Sequence, residues 1–368
     1  SNTGVEQKGL KLTGADAEDV KFTPRPSPTT ASNTRMMLNA MNDDFRYPQN
    51  LKANLSVGVS LSSGWRMRAE ALYTKTLQNA VFRNLAVEPT GGKVSVVAGS
   101  ESAVVPMYKS STSDYSAIYY LDNTTKGYSY SLAATLSKDF AWGMSLVASG
   151  RMASRFSPRS SNWNRTYALD LNNPMLTLSS YDVPHKFSLA VAYRKRYAKL
   201  MELSASLVYQ MNSGQRYSLC FGESVDFNGD GTFGSTLMYI PTEEEMAHMR
   251  FADATSCERW NSFIEEDRYL SGNRGRFAER NSLQAPAEHR IDLHLAHGFY
   301  FGGQTARKVE ISLDVMNLGN LICRHWGAYY NISGVRLQPV TVSGVEGGEA
   351  VYRFTGAKLT ADDLLSRW

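Results

Sequence analysis

Phe187-Ser-Leu-Ala-Val-Ala-Tyr193 and, after a short connection, Met201-Glu-Leu-Ser-Ala-Ser-Leu-Val-Tyr209 decide the fold class. In the first, Phe187, Leu189, Val191 and Tyr193 alternate with Ser188, Ala190 and Ala192, and Arg194 follows. In the second, Met201, Leu203, Ala205, Leu207 and Tyr209 alternate with Glu202, Ser204 and Ser206. Successive side chains of a strand point to opposite faces, so each segment has one apolar side and one small or polar side. Working outward, the same period pairs 52–61 with 65–75, 127–137 with 143–151, 185–194 with 200–211 and 288–297 with 308–317. The turns inside these hairpins run roughly 3–10 residues, with Ser62-Ser63-Gly64 in the first and Gly302-Gly303-Gln304 in the fourth. The connections between hairpins, 76–126, 153–184, 212–287 and 318–364, run roughly 30–75 residues, too long for a compact soluble domain. Strict alternation of short turns and long loops is the mark of an antiparallel up-and-down β-barrel in the bacterial outer membrane, with the long loops outside. The expected class is all-β, with about eight long strands.

Composition bounds this reading without deciding it. The chain has 368 residues, 42% of them hydrophobic, and a mean hydropathy of −0.34, as a soluble protein would. No apolar run reaches the ~18 residues of a membrane helix, a test that barrels escape because only alternate residues meet lipid. A net charge of +4 is small for this length and points to no nucleic-acid partner. Three cysteines are too few for a disulfide scaffold.

Aromatic residues collect at the two ends of the segments, as at the two interfaces of a membrane strand. Trp65, Phe140, Trp142, Tyr193, Tyr197, Phe299, Tyr300 and Phe301 sit by the short turns, and Tyr73, Tyr128, Tyr130, Phe187 and Tyr209 near the long loops. Leu55, Val57, Leu146, Leu189, Leu203, Ile311 and Leu313 fill the middle of the apolar side, which predicts contact with outer-membrane lipid. The other side carries Arg66, Arg68 and Glu70 on one strand, Arg290, Asp292 and His294 on another, and Glu310 and Asp314 on the last. Packing these charges in a sandwich core would cost several kcal/mol per unpaired ion, whereas a wet lumen accepts them. Those eight residues are the expected lumen lining.

Three further features are weighed as sites. Asp226-Phe-Asn-Gly-Asp-Gly231 and Thr232 offer oxygen donors at alternate positions with a glycine for the turn, as calcium loops do. Leu237 stands where an EF-hand needs its glutamate, so Asp226, Asn228, Asp230 and Thr232 would need help from Glu223 or the Glu243–Glu245 run. The other reading is an Asx-rich turn without an ion. His294 and His297 have helical metal-pair spacing, but on a strand they face opposite ways. Cys220 and Cys257 lie in the same long loop, so a disulfide that leaves Cys323 free is expected in an oxidising compartment, the alternative being reduced thiols packed in the loop. Segments 242–251 and 257–266 read as short helices in that loop. No nucleophile–base pair or phosphate-binding glycine loop is found, so no enzymatic activity is expected.

Several motifs together resemble the barrel of TonB-dependent outer-membrane receptors. They are Asp122-Asn-Thr-Thr-Lys-Gly-Tyr-Ser-Tyr-Ser-Leu132, Ser161-Asn-Trp-Asn164, Tyr181-Asp-Val-Pro-His-Lys-Phe187 and Ser213-Gly-Gln-Arg-Tyr217. The Asp226–Gly231 turn, Leu237-Met-Tyr-Ile-Pro241, Tyr269-Leu270, Arg274-Gly-Arg-Phe-Ala-Glu-Arg-Asn281 and Leu313-Asp-Val-Met-Asn-Leu-Gly-Asn320 resemble the Oar-like subgroup of Bacteroidota. The resemblance runs from about Asp43 to the C-terminus and implies uptake of a large substrate (peptide, glycan or protein) through a barrel of about 22 strands. It implies energy from TonB, contacted through an N-terminal plug. No plug, TonB-binding segment or signal peptide is recognised, and the chain stops at Leu364-Leu-Ser-Arg-Trp368, where the family begins its closing strand. The expectation is therefore that residues 1–368 are the C-terminal part of such a barrel, with 1–48 an extracellular loop region and 212–287 a large extracellular loop. A passive porin, or a surface adhesion or export barrel, would share the strand pattern.

Overall fold

The computed structural model describes residues 36–158, 167–198, 200–224, 226, 228–301, 307–323, 326–330, 332–346 and 349–356. The turn Gly302-Gly303-Gln304, the motif at 161–164 and the segment 364–368 lie outside the described residues.

Eight long strands form one antiparallel sheet in chain order: β1 (Gln49–Ser60), β2 (Trp65–Asn84), β3 (Tyr128–Asp139), β4 (Met144–Ser157), β5 (His185–Tyr197), β6 (Met201–Asn212), β7 (Glu288–Phe301) and β8 (Arg307–Val315). The fold is all-β and up-and-down, and no parallel pair occurs among these eight. Gly64 closes the β1–β2 turn at φ +80, a left-handed conformation that glycine adopts without a Cβ penalty.

Register sorts the faces. Leu55 lies opposite Ala71, Ala71 opposite Leu132, and Leu132 opposite Met152. Leu146 faces Val191, Val191 faces Leu207, Leu207 faces Leu293, and Leu295 faces Leu313. Directly opposed residues share a face, so one continuous apolar face runs across all eight strands. Among the described residues no second sheet covers it: Leu55 is 68% exposed, Leu132 56% and Ile311 67%. A soluble sandwich would bury these positions at about 10 Å from a facing sheet.

Aromatic side chains edge the apolar face at both ends. At the short turns, Trp65, Phe140, Trp142 and Tyr193 form a row with successive ring centroids 6.4, 5.7 and 5.9 Å apart. At the long loops, Phe187, Tyr209, His289 and Trp326 form a second row at 6.0, 6.2 and 6.1 Å. Along β7 the rows are ten residues apart, His289 to Phe299, about 33 Å of strand or about 25 Å of height at a ~40° tilt. Tyr300 departs from the expectation: its even position turns it to the polar face, where its hydroxyl donates to Glu202 at 3.2 Å.

The long connections are where expectation and structure part. β2 continues to Asn84 and β4 to Ser157, so strands project beyond the sheet and the connections are shorter than 76–126 and 153–184. The upper half of β2 pairs with Tyr115–Thr124, which pairs in parallel with Met36–Met41 inside the region expected to be loop. All four connections contribute to one cap, rather than 212–287 alone. Its buried cluster takes Val96, Val97 and Val105 from the first, Phe221, Tyr239, Trp260 and Ile264 from the third, and Val342 and Tyr352 from the fourth, with Leu169 of the second packed against it. Tyr352 donates its hydroxyl hydrogen to the carbonyl of Val96 at 2.9 Å. Of the expected helices, 257–266 is present as Ser256–Glu266, whereas 242–251 forms a single turn, Glu243–Met246, held by a Thr242–Glu245 capping box, and ends as a strand, Arg250–Phe251, paired with Val351 and Tyr352.

The expected disulfide is not formed. Cys220 is a free thiol, buried with Tyr167 and Leu237, while Cys257 is free on the helix that packs against the main cluster. Burial raises the thiol pKa of both.

Candidate functional site

The polar face is built by the same parity that makes the apolar one. Even-numbered residues of β2 and β5 to β8 and odd-numbered residues of β3 and β4 share it through their cross-strand partners. All eight sequence-expected lining residues lie there, and most of them close short ion pairs. Arg66 meets Asp139 at 2.6 Å and Arg68 meets Glu70 at 2.6 Å. Arg290 reaches Asp292 at 2.9 Å, and His294 Nδ1 lies 2.6 Å from Asp314. Lys308 joins Glu202 at 2.9 Å and also contacts Glu310. Those of the pairs that stand exposed add little stability, since water screens them. Their significance is that positive and negative charge balance along this part of the face. His294 and His297 take opposite faces, opposing Ser206 and Leu203 respectively, so they cannot share an ion.

Nearer the long loops the balance fails. A cleft of about 690 Å³ opens on the polar face, lined by strand residues and by 179–183 of the second connection. Lys52, Arg151, Arg155 and Lys186 line it, and the one carboxylate among the described lining residues, Asp182, is already bound to Arg216 Nε at 2.8 Å. Asp182 also accepts the backbone N–H of Arg155 at 3.0 Å, which ties the overhanging connection to β4. The four cations escaped the sequence reading although strand parity marks Arg151 and Lys186 as polar-face residues. Lys52, Arg151 and Lys186 lie within the expected strands 52–61, 143–151 and 185–194, whereas Arg155 falls in the connection expected at 153–184.

Above the cleft, the motif at 274–281 stitches the cap together. Arg274 donates to the Pro241 carbonyl at 2.9 Å and to Asn261 at 2.7 Å. Arg280 is buried and donates to the carbonyls of Ser157, Pro158 and Met175, which joins the second connection to the third. Burial lowers its pKa to about 10, so the guanidinium keeps its charge at neutral pH. Asn281 adopts φ 59 and donates to the Leu178 carbonyl at 2.7 Å.

The sequence-expected calcium donors come together as a self-closed turn. The Asp226 carboxylate accepts N–H bonds from Gly229, Asp230 and Gly231 at 2.8, 3.1 and 2.8 Å. Asp230 accepts from the Thr232 N–H at 2.8 Å and from its hydroxyl at 2.6 Å, and Asn228 donates to Asp230 at 3.2 Å. Among the described residues no group of three His, Cys, Asp or Glu side chains is arranged to hold a metal. Nearby, burial pushes the Glu223 carboxyl up to about 7, and the charge of Asp230 adds to the effect.

No family model matches the chain, and no curated protein matches it. Among solved structures, it is similar to the outer membrane transporter YddB from Escherichia coli, with a TM-score of 0.41 and 10% identity. The similarity covers 79% of this chain and 31% of that one, so this chain spans about a third of the transporter's length.

Proposed function

We propose that this chain forms part of the wall and the extracellular cap of a bacterial outer-membrane transporter that takes up a large substrate. The observation that carries the reading is a single unbacked sheet with an apolar face between two aromatic rows and an ion-paired face behind it. That pattern suits a wall with lipid on one side and a wet lumen on the other. Mutual proximity of strands in chain order, with all four long connections gathered at one end, supports an up-and-down barrel with a cap on the cell surface.

Energy coupling is the finer part of the proposal. On the resemblance to TonB-dependent receptors, uptake draws on the inner-membrane proton gradient through a plug and a TonB-binding segment, neither of them recognised within 1–368. The protein's role is transport rather than catalysis. Membrane fractionation should place it with the outer membrane. In cells carrying the full reading frame, uptake should stop when a protonophore collapses the gradient or when TonB is deleted. Uptake that persists under both conditions would make the protein a passive porin, and surface binding without uptake would make it an adhesion barrel.

A further inference from the structure

We propose that the cleft at the long-loop end of the polar face binds an anionic oligosaccharide through two rows of cations. The proposal rests on the transporter reading for the side from which ligand arrives, but the charge argument stands on the cleft alone.

Register places the cations in two rows. Lys52 lies opposite Thr74, Thr74 opposite Ser129, and Ser129 opposite Arg155, so two cations end a row of hydroxyls. Lys52 and Arg155 are three strand spacings apart, about 14 Å. In the second row Arg151 lies directly opposite Lys186. Like charges in direct cross-strand opposition bring their Cβ atoms to about 5 Å and destabilise the pair. The two rows are separated by the four residues from Arg151 to Arg155, about 13 Å of strand. Between them Ser131 accepts from Arg151 Nε at 3.0 Å, which aims the guanidinium while leaving its outer nitrogens toward the cleft.

No carboxylate among the described residues pairs with Lys52, Arg151, Arg155 or Lys186. Glu70, which shares a row with Arg151 through Ala133, is held by Arg68, and Asp182 is held by Arg216. The contrast with the rest of the face makes the site: towards the short turns and on β7 and β8, Arg66, Arg68, Arg290 and Lys308 meet carboxylates and Arg196 lies over the Tyr300 ring, with Arg194 the exception, whereas here four cations meet none. A ligand that restores the balance carries at least two oxyanions about 10–15 Å apart, too far for one small anion. The cleft size suits a molecule of drug or short-oligomer dimensions. Its wall carries the hydroxyls of Thr74, Ser129, Ser131 and Ser154 and the amides of Asn50 and Asn79 beside the apolar Leu72, Ala153, Phe156 and Val183, a mix in which the hydroxyl-rich share fits a glycan better than a peptide with apolar side chains.

The test is equilibrium binding to the full-length protein in detergent, by calorimetry at low salt. The probes are a sulfated tetrasaccharide, tetragalacturonate, neutral cellotetraose and hexaglutamate. The sulfated probe, tetragalacturonate or both should bind, with affinity that falls as salt rises, and the stronger of them tells sulfate from carboxylate recognition. Cellotetraose and hexaglutamate should bind much more weakly. Arg151→Gln with Lys186→Gln should weaken the anionic glycan about tenfold or more. The charge-preserving exchange Arg151→Lys with Lys186→Arg should retain most of the affinity and guard against a folding defect. Arg66→Gln, outside the cleft, should leave binding unchanged. Equal binding of the neutral glycan, preference for hexaglutamate, or full affinity in the double glutamine variant would overturn the proposal. Because binding is read without an energised membrane, loss of gradient-driven uptake would overturn energy coupling and leave this result standing.

Discussion

In the eight-stranded sheet, Leu55, Ile311 and Leu313 keep 68%, 67% and 57% of their surface exposed; in the cap, Trp260, Ile264 and Tyr352 keep 0%, 0% and 1%. The residue types are alike, and the difference lies in where each region finds its apolar partner. The cap makes its own, from segments as far apart as Val96 and Tyr352, and so behaves as a water-soluble core. Among the described residues the sheet has no internal partner for its apolar face, and on the reading proposed above it gains one from lipid. Two solvents therefore select two architectures within one chain. A strand that alternates perfectly serves the first, and a scattered set of large side chains serves the second.

The sharpest way to break this comparison is to remove the same kind of bulk from each region. Trp260→Ala should cost the cap about 3–5 kcal/mol, as large-to-small changes in packed cores do. Protease cleavage within 212–287 should then accelerate while the sheet's resistance to unfolding in detergent stays unchanged. If both regions lose stability together, cap and sheet are one cooperative unit.

Ile311→Arg should show the reverse pattern. On the lipid side of a barrel near mid-height such a change costs about 2–4 kcal/mol, read as denaturant stability in bilayers. Glu310→Arg, one position along on the polar face, should cost far less. Equal penalties at 310 and 311 would deny that the two faces meet different surroundings.

The buried Glu223 gives the cap a pH signature. Its folded pKa of about 7 lies above the ordinary carboxyl value of 4.5. Between these values the folded cap holds a proton that the unfolded chain releases, so stability falls as pH rises from about 4.5 to 7 and is flat above. The loss is on the order of 3 kcal/mol. Glu223→Gln should abolish the slope, making the variant the more stable protein at pH 8 and equal to the parent at pH 4. A slope that survives the substitution would assign it to another group.

The smallest expected effect concerns calcium. The Asp226 and Asp230 carboxylates already accept the donors of their own turn, so millimolar calcium should move the thermal midpoint of the cap by less than about 1 °C. A rise of several degrees, abolished by Asp226→Asn, would establish calcium as a cofactor through binding linkage.

How far each region could be read from sequence follows from the same contrast. The sheet was legible because a period of two is local: Phe187 to Tyr193 declares its two faces in seven residues, and a neighbouring hairpin repeats them. Charge parity put Arg66, Asp292 and Glu310 on one face of the sheet, which their cross-strand partners share. The cap was not legible, since Val97, Phe221, Trp260 and Val342 share a cluster without any period linking them. The cysteines illustrate the cost. Proximity in one loop suggested pairing, yet Cys220 packs with Tyr167 and Leu237 while Cys257 rides a helix against a different cluster. The cleft fell between the two cases, its strand cations encoded by parity but its roof supplied by 179–183, whose position depends on Arg216 and Asp182.

Strand β2 is long enough to belong to both regions: its 20 residues pair with β1 and β3 below and with Tyr115–Thr124 above. Pairing passes from one neighbour to the next in the same register, with Lys75 opposite Tyr128, the Thr76 N–H bonded to Gly127 and Asn79 opposite Thr124, leaving Leu77 and Gln78 outside both registers. Mechanically, this is a mast stepped in the hull. Force applied to the cap, whether by a captured cargo or by the tip of a cantilever, runs down a hydrogen-bonded beam into the sheet instead of bending a loose tether. The cap should therefore yield in a pulling experiment by shearing that beam, at forces typical of sheets loaded along their strands.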